Sequence, residues 1–370
     1  MTEEAPAQDL PAVAPPEGPL RSREVFLDTE AFRRLGFDTG KPSIVALLGH
    51  IAEQRLQLHL TDITLSEIRR QIEADAEKAV EEIRRARSTA ATWRKRAPAA
   101  LGGAKKPLRP LDAAKVGLEA FDRFRRDLAP FHEHHASRQA GTEVFRAYFA
   151  REAPFDAQGG KSVKEFPDAF VIAALDDWCG REGTKMYVVT SDRAMLRAAA
   201  AKPALMPVAT LDDLLQTVTV EHSPDVLDAV QAILQRPEFE VDLASAIDRT
   251  IGDLITNYLG EMPEGEASEP ARAGDPSLVD WTVISAFEGG YGVIAEFDVD
   301  LLIQLHFDDL SFASYDNEDG VYIGGEPGSD EIEESARLRM FIQVNDDCSI
   351  NRAELLTQEI DVYGPNENYK

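Results

Sequence analysis

Short apolar runs that stop at an acidic residue, each followed by helical spacing, mark out the first part of the chain. In Glu24-Val25-Phe26-Leu27-Asp28-Thr29 the run ends at Asp28, and a helical pattern covers Glu30 to Leu35. Apolar residues at successive positions are buried on both faces, as in a parallel strand covered by helices. Leu56 to Thr61 predicts a second strand, which runs into a helix capped by Asp62 or Thr64 with Glu67 in its first turn. Pro167 opens a further helix, with Asp168 one residue later and apolar residues behind it. The β-branched run Met186 to Val189 ends in Thr190-Ser191-Asp192 before another helix. Residues 22–218 therefore predict an α/β fold, a parallel sheet flanked by helices that Leu211 to Val218 closes.

Within that unit, residues 69–146 predict a helical insertion, broken by Gly and Pro between Leu101 and Pro110. Beyond it, Asp225 to Leu234 and Leu243 to Ile255 show helical apolar spacing, and 222–260 is expected to be a helical connector. Residues 261–277, rich in Glu, Pro, Gly and Ala, suggest a linker. From Val279 the apolar period becomes two. Val283, Tyr291 to Val299, Leu301 to Phe307, Leu310 to Tyr315, Leu338 to Val344 and Thr357 to Val362 predict an antiparallel meander of four or five strands. Gly289-Gly290 and Asp308-Asp309 are its expected turns, and 278–365 reads as a small antiparallel β (α+β) C-terminal domain.

Charge alters this picture because it is unevenly spread. The net charge is −27, yet Arg69 to Arg146 holds 18 Lys and Arg against 11 Asp and Glu. Glu261 to Lys370 holds 5 basic residues against 26 acidic ones. The basic section includes Arg84, Arg85, Arg87, Trp93, Arg94, Lys95, Arg96, Lys105 and Lys106. Because it lies between Glu67 and Asp168, the fold is expected to bring it beside the carboxylates, where it would hold nucleic-acid phosphates and Trp93 would stack on a base. Helix pairs such as Glu81 with Arg85 are the ordinary alternative. The acidic C-terminal domain is a solubilising surface, a face for a basic protein partner, or a shield for the chain's own basic section.

Asp28, Glu67, Asp168 and Asp192 each stand where a strand ends or a helix begins, which is where an open α/β sheet gathers its functional groups. Capping and the helix dipole explain any one of them alone. Four together repel one another unless a cation sits among them, and Mg²⁺ or Mn²⁺ suits carboxylate and water oxygens. That chemistry, a water activated and a leaving oxygen stabilised, is phosphodiester hydrolysis.

At Leu27-Asp28-Thr29, Pro154-Phe155, Glu165-Phe166-Pro167-Asp168-Ala169 and Thr190-Ser191-Asp192, in this order, the chain resembles the PIN-domain ribonucleases, in their branch with a long helical insertion. The resemblance covers about residues 22 to 218. It implies a compact sheet flanked by helices and metal-dependent hydrolysis, usually of RNA, leaving a 5′-phosphate. Asp28, Glu67, Asp168 and Asp192 would be the catalytic metal site, with Glu165 as a fifth acid or a partner of the others and Thr29, Thr190 and Ser191 in support. Glu30 stands where the family often has Asn.

The competing functions are a catalytically weak nucleic-acid-binding or scaffold protein and a hydrolase of small phosphoesters. RNA is favoured over DNA as the partner, and the oligomeric state is left open. His132, His134 and His135 read as loop or helix-surface residues rather than a zinc site. Tyr315 to Gly320 reads as a solvated turn rather than a calcium loop. Residues 1–21 are an acidic, Pro-rich arm expected to be disordered, without the positive start and apolar core of a signal peptide. No apolar run approaches the ~20 residues of a membrane span. Two cysteines, Cys179 and Cys348, far apart in the chain, argue for a reducing, cytoplasmic setting.

Overall fold

The computed structural model describes residues 18–96, 111–139, 141–155, 164–260, 265–309, 314–316, 321–323 and 326–363, with the backbone alone for 91–96, 308–309, 314–316 and 321–323. The chain divides into two compact units, 1–218 and 219–370.

In the first unit, β1 (Glu24–Leu27), β2 (Gln57–Thr61), β3 (His132–His134), β4 (Met186–Val189) and β5 (Leu205–Val208) form one sheet in the order β3-β2-β1-β4-β5. Every pairing is parallel. Val25, Phe26 and Leu27 of β1 and all of β4 are buried, as continuous apolar runs require when helices cover both faces. The helices are α1 (Thr29–Arg34), α2 (Pro42–Ala52), α3 (Asp62–Arg96), α4 (Ala113–Asp127), α5 (Thr142–Ala150), α6 (Phe166–Glu182), α7 (Arg193–Ala200) and α8 (Leu211–His222). On one face Phe26 and Val188 pack against Val171, Ile172 and Leu175 of α6 and Met195 and Ala198 of α7. Among the described residues no helix is long and apolar enough to cross a membrane.

The insertion starts earlier and ends sooner than its sequence boundaries. Its first helix, α3, leaves β2 without a break and runs for 35 residues. Leu65, Ile68, Ile72, Ala76 and Val80 keep three- and four-residue spacing and are buried, so one stripe of this charged helix faces inward. Part of that stripe packs on α4. Gly117 of α4 passes so near α3 that a Cβ there would lie 3.0 Å from the Glu73 Cα, and the Arg69 guanidinium stands over the Phe121 ring at 6.0 Å. By contrast β3, which falls inside residues 69–146, and α5, which begins there, belong to the sheet unit itself. His132-Glu133-His134 is too short and polar to announce an edge strand by pattern.

The second unit joins helices and sheet in one core. Val226, Val230 and Ile233 of α9 (Val226–Leu234) and Phe239, Leu243 and Ile247 of α10 (Pro237–Thr250) share a cluster with Val293, Phe297, Leu301, Met340 and Ile342. These helices are therefore part of the unit rather than a connector, because their apolar stripes cover one sheet face. Following β6 (Ile255–Tyr258), the expected linker contains β7 (Glu266–Ala267) and β8 (Ala271–Arg272), which pair with β10 (Gly290–Asp309). β9 (Ser277–Phe287) pairs with the other half of the same edge of β10. The turn between β9 and β10 is Glu288-Gly289, one residue earlier than expected, and Gly289 takes the left-handed φ of 82° that a side chain disfavours.

The sequence pattern split β10 into two strands and placed a turn at Asp308-Asp309; the structure makes it one strand of 20 residues that includes both aspartates. After the separate hairpin of β11 (Ser314–Asp316) and β12 (Val321–Ile323), β13 (Glu326–Asn345) pairs along all of β10. Only Leu338 to Val344 of β13 was expected, since acidic residues are depleted in strands and conceal the alternation of Ile332, Ala336 and Leu338. β14 (Ile350–Leu355) completes this antiparallel sheet, whereas β15 (Glu359–Val362) leaves it to pair in parallel with β6. Of the acidic turn at Tyr315 to Gly320, residues 317–320 lie outside the described residues, as does most of the arm at 1–21.

Replacing Gly117 with Val forces α3 and α4 apart at their closest approach, and the expected loss is about 1–3 kcal/mol, the usual cost of overpacking. Thermal denaturation checks this; a melting temperature equal to the parent's would show that the helices yield without cost.

Candidate active site

The strand order reverses direction at β1, so the carboxyl ends of β1 and β4 flank the crevice where open parallel sheets place their ligands. Asp28 and Asp192 follow those two strands directly. Asp28 is only 9% exposed. The Thr29 backbone N–H donates to its Oδ1 at 2.7 Å, and the Thr190 hydroxyl donates to its Oδ2 at 2.8 Å. The same Thr190 oxygen accepts the Asp192 N–H at 3.0 Å. From the other side, the Thr29 hydroxyl donates to Glu67 Oε2 at 2.9 Å. Two threonines thus bracket Asp28, one linking it to Glu67 and the other to the Asp192 backbone. Ser191 stands half-buried between Thr190 and Asp192. Asp192 also caps α7 by accepting the Met195 N–H at 2.8 Å, so part of its role is the ordinary one of a helix start.

Asp168 lies in the first turn of α6, with Glu165 at the cap position just before it. Burial, the largest cause, together with the charges of Asp28, Glu67, Asp192 and Glu165 raises the Asp168 carboxyl to about 8. For Asp28, burial and to a lesser extent the charges of Glu67 and Asp192 outweigh the lowering effect of the Thr190 and Thr29 hydrogen bonds, and the carboxyl is raised to about 6. Asp168 therefore feels the charges of the other four acids, and Asp28 those of Glu67 and Asp192. A hard divalent cation fits that chemistry, since it supplies the missing positive charge and tolerates water as part of its shell. Among the described residues no three acidic, imidazole or thiol groups stand at mutual ligand spacing, so the case for a cation rests on uncompensated charge.

A family model described as the PIN domain matches residues 25–195. Residues 25–195 are a PIN domain. No curated protein and no solved structure matches the chain. The matched span holds all four acids, and it leaves the C-terminal unit unassigned.

The PIN domain does not gather every residue singled out in the sequence. Arg84, Arg85 and Arg87 lie far along α3, roughly 25–30 Å from Glu67 at ~1.5 Å per residue, and Trp93, Arg94, Lys95 and Arg96 end the helix at roughly 40–45 Å. Sequence position between two acids suggested proximity; an unbroken helix instead leads the charges away. Arg84 pairs with Glu81 at 2.6 Å and Arg85 approaches the same residue at 3.5 Å. Lys105 and Lys106 lie outside the described residues.

Of the three histidines, His135 is an exposed loop residue as expected, but His132 and His134 are not loop or helix residues. His132 and His134 stand on β3 with their rings stacked on the buried His59 of β2. His59 Nδ1 meets His134 Nε2 at 2.7 Å and its Nε2 meets Glu24 Oε2 at 2.5 Å. Burial lowers His59 to about 3 and His134 to about 4, so both are neutral near pH 7. His59, flanked by Leu58 and Leu60, reads as one polar interruption in an apolar strand, and only the β2–β3 register reveals its partners.

The two raised carboxyls set a pH dependence. Folded Asp28 and Asp168 keep their protons where the unfolded chain has lost them, so the folded state binds more protons from the ordinary carboxylate range up to about 8. Stability of the cation-free protein should then fall as pH rises through that window, by at most about 1.4 kcal/mol per pH unit for each group. Melting curves from pH 5 to 8.5 test this, with Mg²⁺ or Mn²⁺ restoring stability most at the upper end and Asp168→Asn flattening the slope. A cation-free melting temperature that rises over the same range would contradict the assignment.

Proposed function

We propose that this PIN domain is a divalent-metal-dependent nuclease that hydrolyses phosphodiester bonds, with RNA as its main substrate. The observation that carries the reading is the burial of Asp28 and Asp168 within reach of two further acids at the crevice between β1 and β4. PIN domains are generally nucleases and typically use Mg²⁺ or Mn²⁺. Asp28, Glu67, Asp168 and Asp192 would hold the ion, with Glu165 beside Asp168. When bound, such an ion lowers the pKa of its water and offsets charge on the leaving oxygen.

The chain's own part is positional. Thr29 and Thr190 hold both oxygens of Asp28, so that this carboxylate cannot turn away from the crevice. Thr29 also fixes the orientation of Glu67, bringing a carboxylate from the α3 side towards the one after β1. Burial around Asp28 and Asp168 keeps competing water out and strengthens every charge interaction within the site. The basic residues of α3 and the section after it would then contact remote parts of a long polymer. Charge neutralisation at Arg84, Arg85 and Arg87 should weaken binding of long RNA while leaving a short oligonucleotide unaffected.

The decisive experiment is cleavage of labelled RNA and DNA with Mg²⁺ or Mn²⁺, beside Asp28→Asn and a chelator control. The expected outcome is metal-dependent cleavage with RNA preferred, new 5′-phosphate ends, and a loss of at least about a hundredfold in Asp28→Asn, as befits removal of a charge that acts on the transition state. RNA binding without cleavage would support the scaffold reading instead. Turnover of a chromogenic phosphoester alone would support the small-substrate reading.

A further inference from the structure

A cleft of about 330 Å³ opens beside Glu67, lined by Asp62, Ile63, Ser66, Glu67, Arg70 and Ser137. Glu67 belongs both to this cleft and to the acid group at the end of β1. The opposite wall is fixed by Asp62, which accepts the Ser137 N–H at 3.1 Å and the Ser137 hydroxyl, with His135 Nδ1 at 3.8 Å. That carboxylate is occupied in fastening the turn Ala136–Arg138 to the start of α3. The Ser66 hydroxyl is also committed, donating to the Asp62 carbonyl at 2.7 Å.

What the cleft has to spare is cationic. The neighbour of Arg70 on α3, Arg69, is neutralised by Glu73 at 2.8 Å. Among the described residues the guanidinium of Arg70 makes no ion pair or hydrogen bond, and neither does that of Arg138, the residue after Ser137. Arg70 follows Glu67 by three positions on α3, a rise of roughly 4.5 Å that keeps the two on neighbouring turns of one helix side. An exposed arginine with no carboxylate partner one turn from a catalytic acid is not accounted for by helix pairing. A group of acids repels an incoming polyanion, and a guanidinium fork is well suited to counter that by gripping phosphate oxygens in pairs.

We propose that this cleft seats the backbone phosphate adjoining the scissile one, with Arg70 as the positioning residue and Arg138 at the rim. The inference rests on the nuclease reading for the identity of the polymer. It places substrate grip beside Glu67, on the β3 side of the acids, rather than along the distant basic part of α3.

The test uses the full chain with a short, labelled single-stranded RNA. Binding is measured by anisotropy in Ca²⁺ across a salt series, and cleavage is measured separately in Mg²⁺. Arg70→Gln should weaken binding about tenfold at low salt and make its log–log salt dependence shallower by about 0.7, the value for one lost phosphate contact on a single strand. Arg70→Lys should keep the salt slope and recover part of the affinity, and Arg138→Gln should show a smaller loss. In cleavage, Arg70→Gln should raise KM with kcat nearly unchanged. An unaltered salt slope and affinity in Arg70→Gln, with the parent's melting temperature, would overturn the proposal even if the parent cleaves RNA. Binding that depends on Arg70 in a parent that never cleaves would instead retain the cleft and reject the nuclease reading.

Discussion

Much of the PIN domain is arranged around one buried carboxylate. Asp28 sits at 9% exposure among other acids, a position that desolvation and like charge both oppose. One hydroxyl and one backbone N–H hold its two oxygens, and they come from opposite sides: the Thr29 N–H from the start of α1 and the Thr190 hydroxyl from the end of β4. The arrangement works only if β1 and β4 are neighbours with their ends level. The parallel register that sets Leu27 beside Val189 provides this, and the Asp28 N–H donates to the Val189 carbonyl at 3.0 Å. Sheet order, strand length and the apolar faces beneath thus serve to hold a charge where bulk water cannot screen it.

The rest of the first unit separates charge of opposite sign. The acids occupy the crevice, while α3 carries Arg84 to Arg96 outward along a helix whose inward stripe is paired with α4 only over part of its length. Close approach at Gly117 and the Arg69–Phe121 contact fix that pairing near the helix root. Arg70 lines the cleft beside Glu67 with no carboxylate partner, whereas the adjacent Arg69 is paired with Glu73. Asp168 lies in the field of four other acids and Asp28 in that of two.

The second unit follows a different plan. Its two longest strands, each of 20 residues, pair along their whole length, while the pairing of β10 with β9 shifts register at Gly292/Val293 and at Glu296/Phe297. One face is apolar and packs on α9 and α10, while the other carries much of the acidic excess, with pairs such as Arg337–Asp298 at 2.9 Å neutralising only a part. The unit is therefore stabilised by its covered face, and its charge is free to vary without cost to the core.

Strand ends marked by Asp28 and Asp192, the helix start at Asp168, and the parallel sheet that joins them were legible in the sequence, because each depends on local periodicity and on capping preferences within a few residues. The supporting threonines were legible for the same reason, being adjacent to the acids they hold. Glu67 was expected in the first turn of its helix but stands in the second, since Thr61 caps α3 and the helix begins at Asp62. What the tertiary structure decided depended on distant partners. The histidine stack needs the β2–β3 register, the Asp62–Ser137 tie needs a turn 75 residues downstream, and the unpaired state of Arg70 appears only once Glu73 is seen to pair with Arg69 instead. The acidic half of β13 escaped notice because an exposed face of Asp and Glu looks like a loop until β10 is laid beside it. Placement of the basic section was misjudged for a related reason: order along the chain says which segment lies between two acids, but whether that segment returns to them is settled by an uninterrupted helix and the packing that supports it.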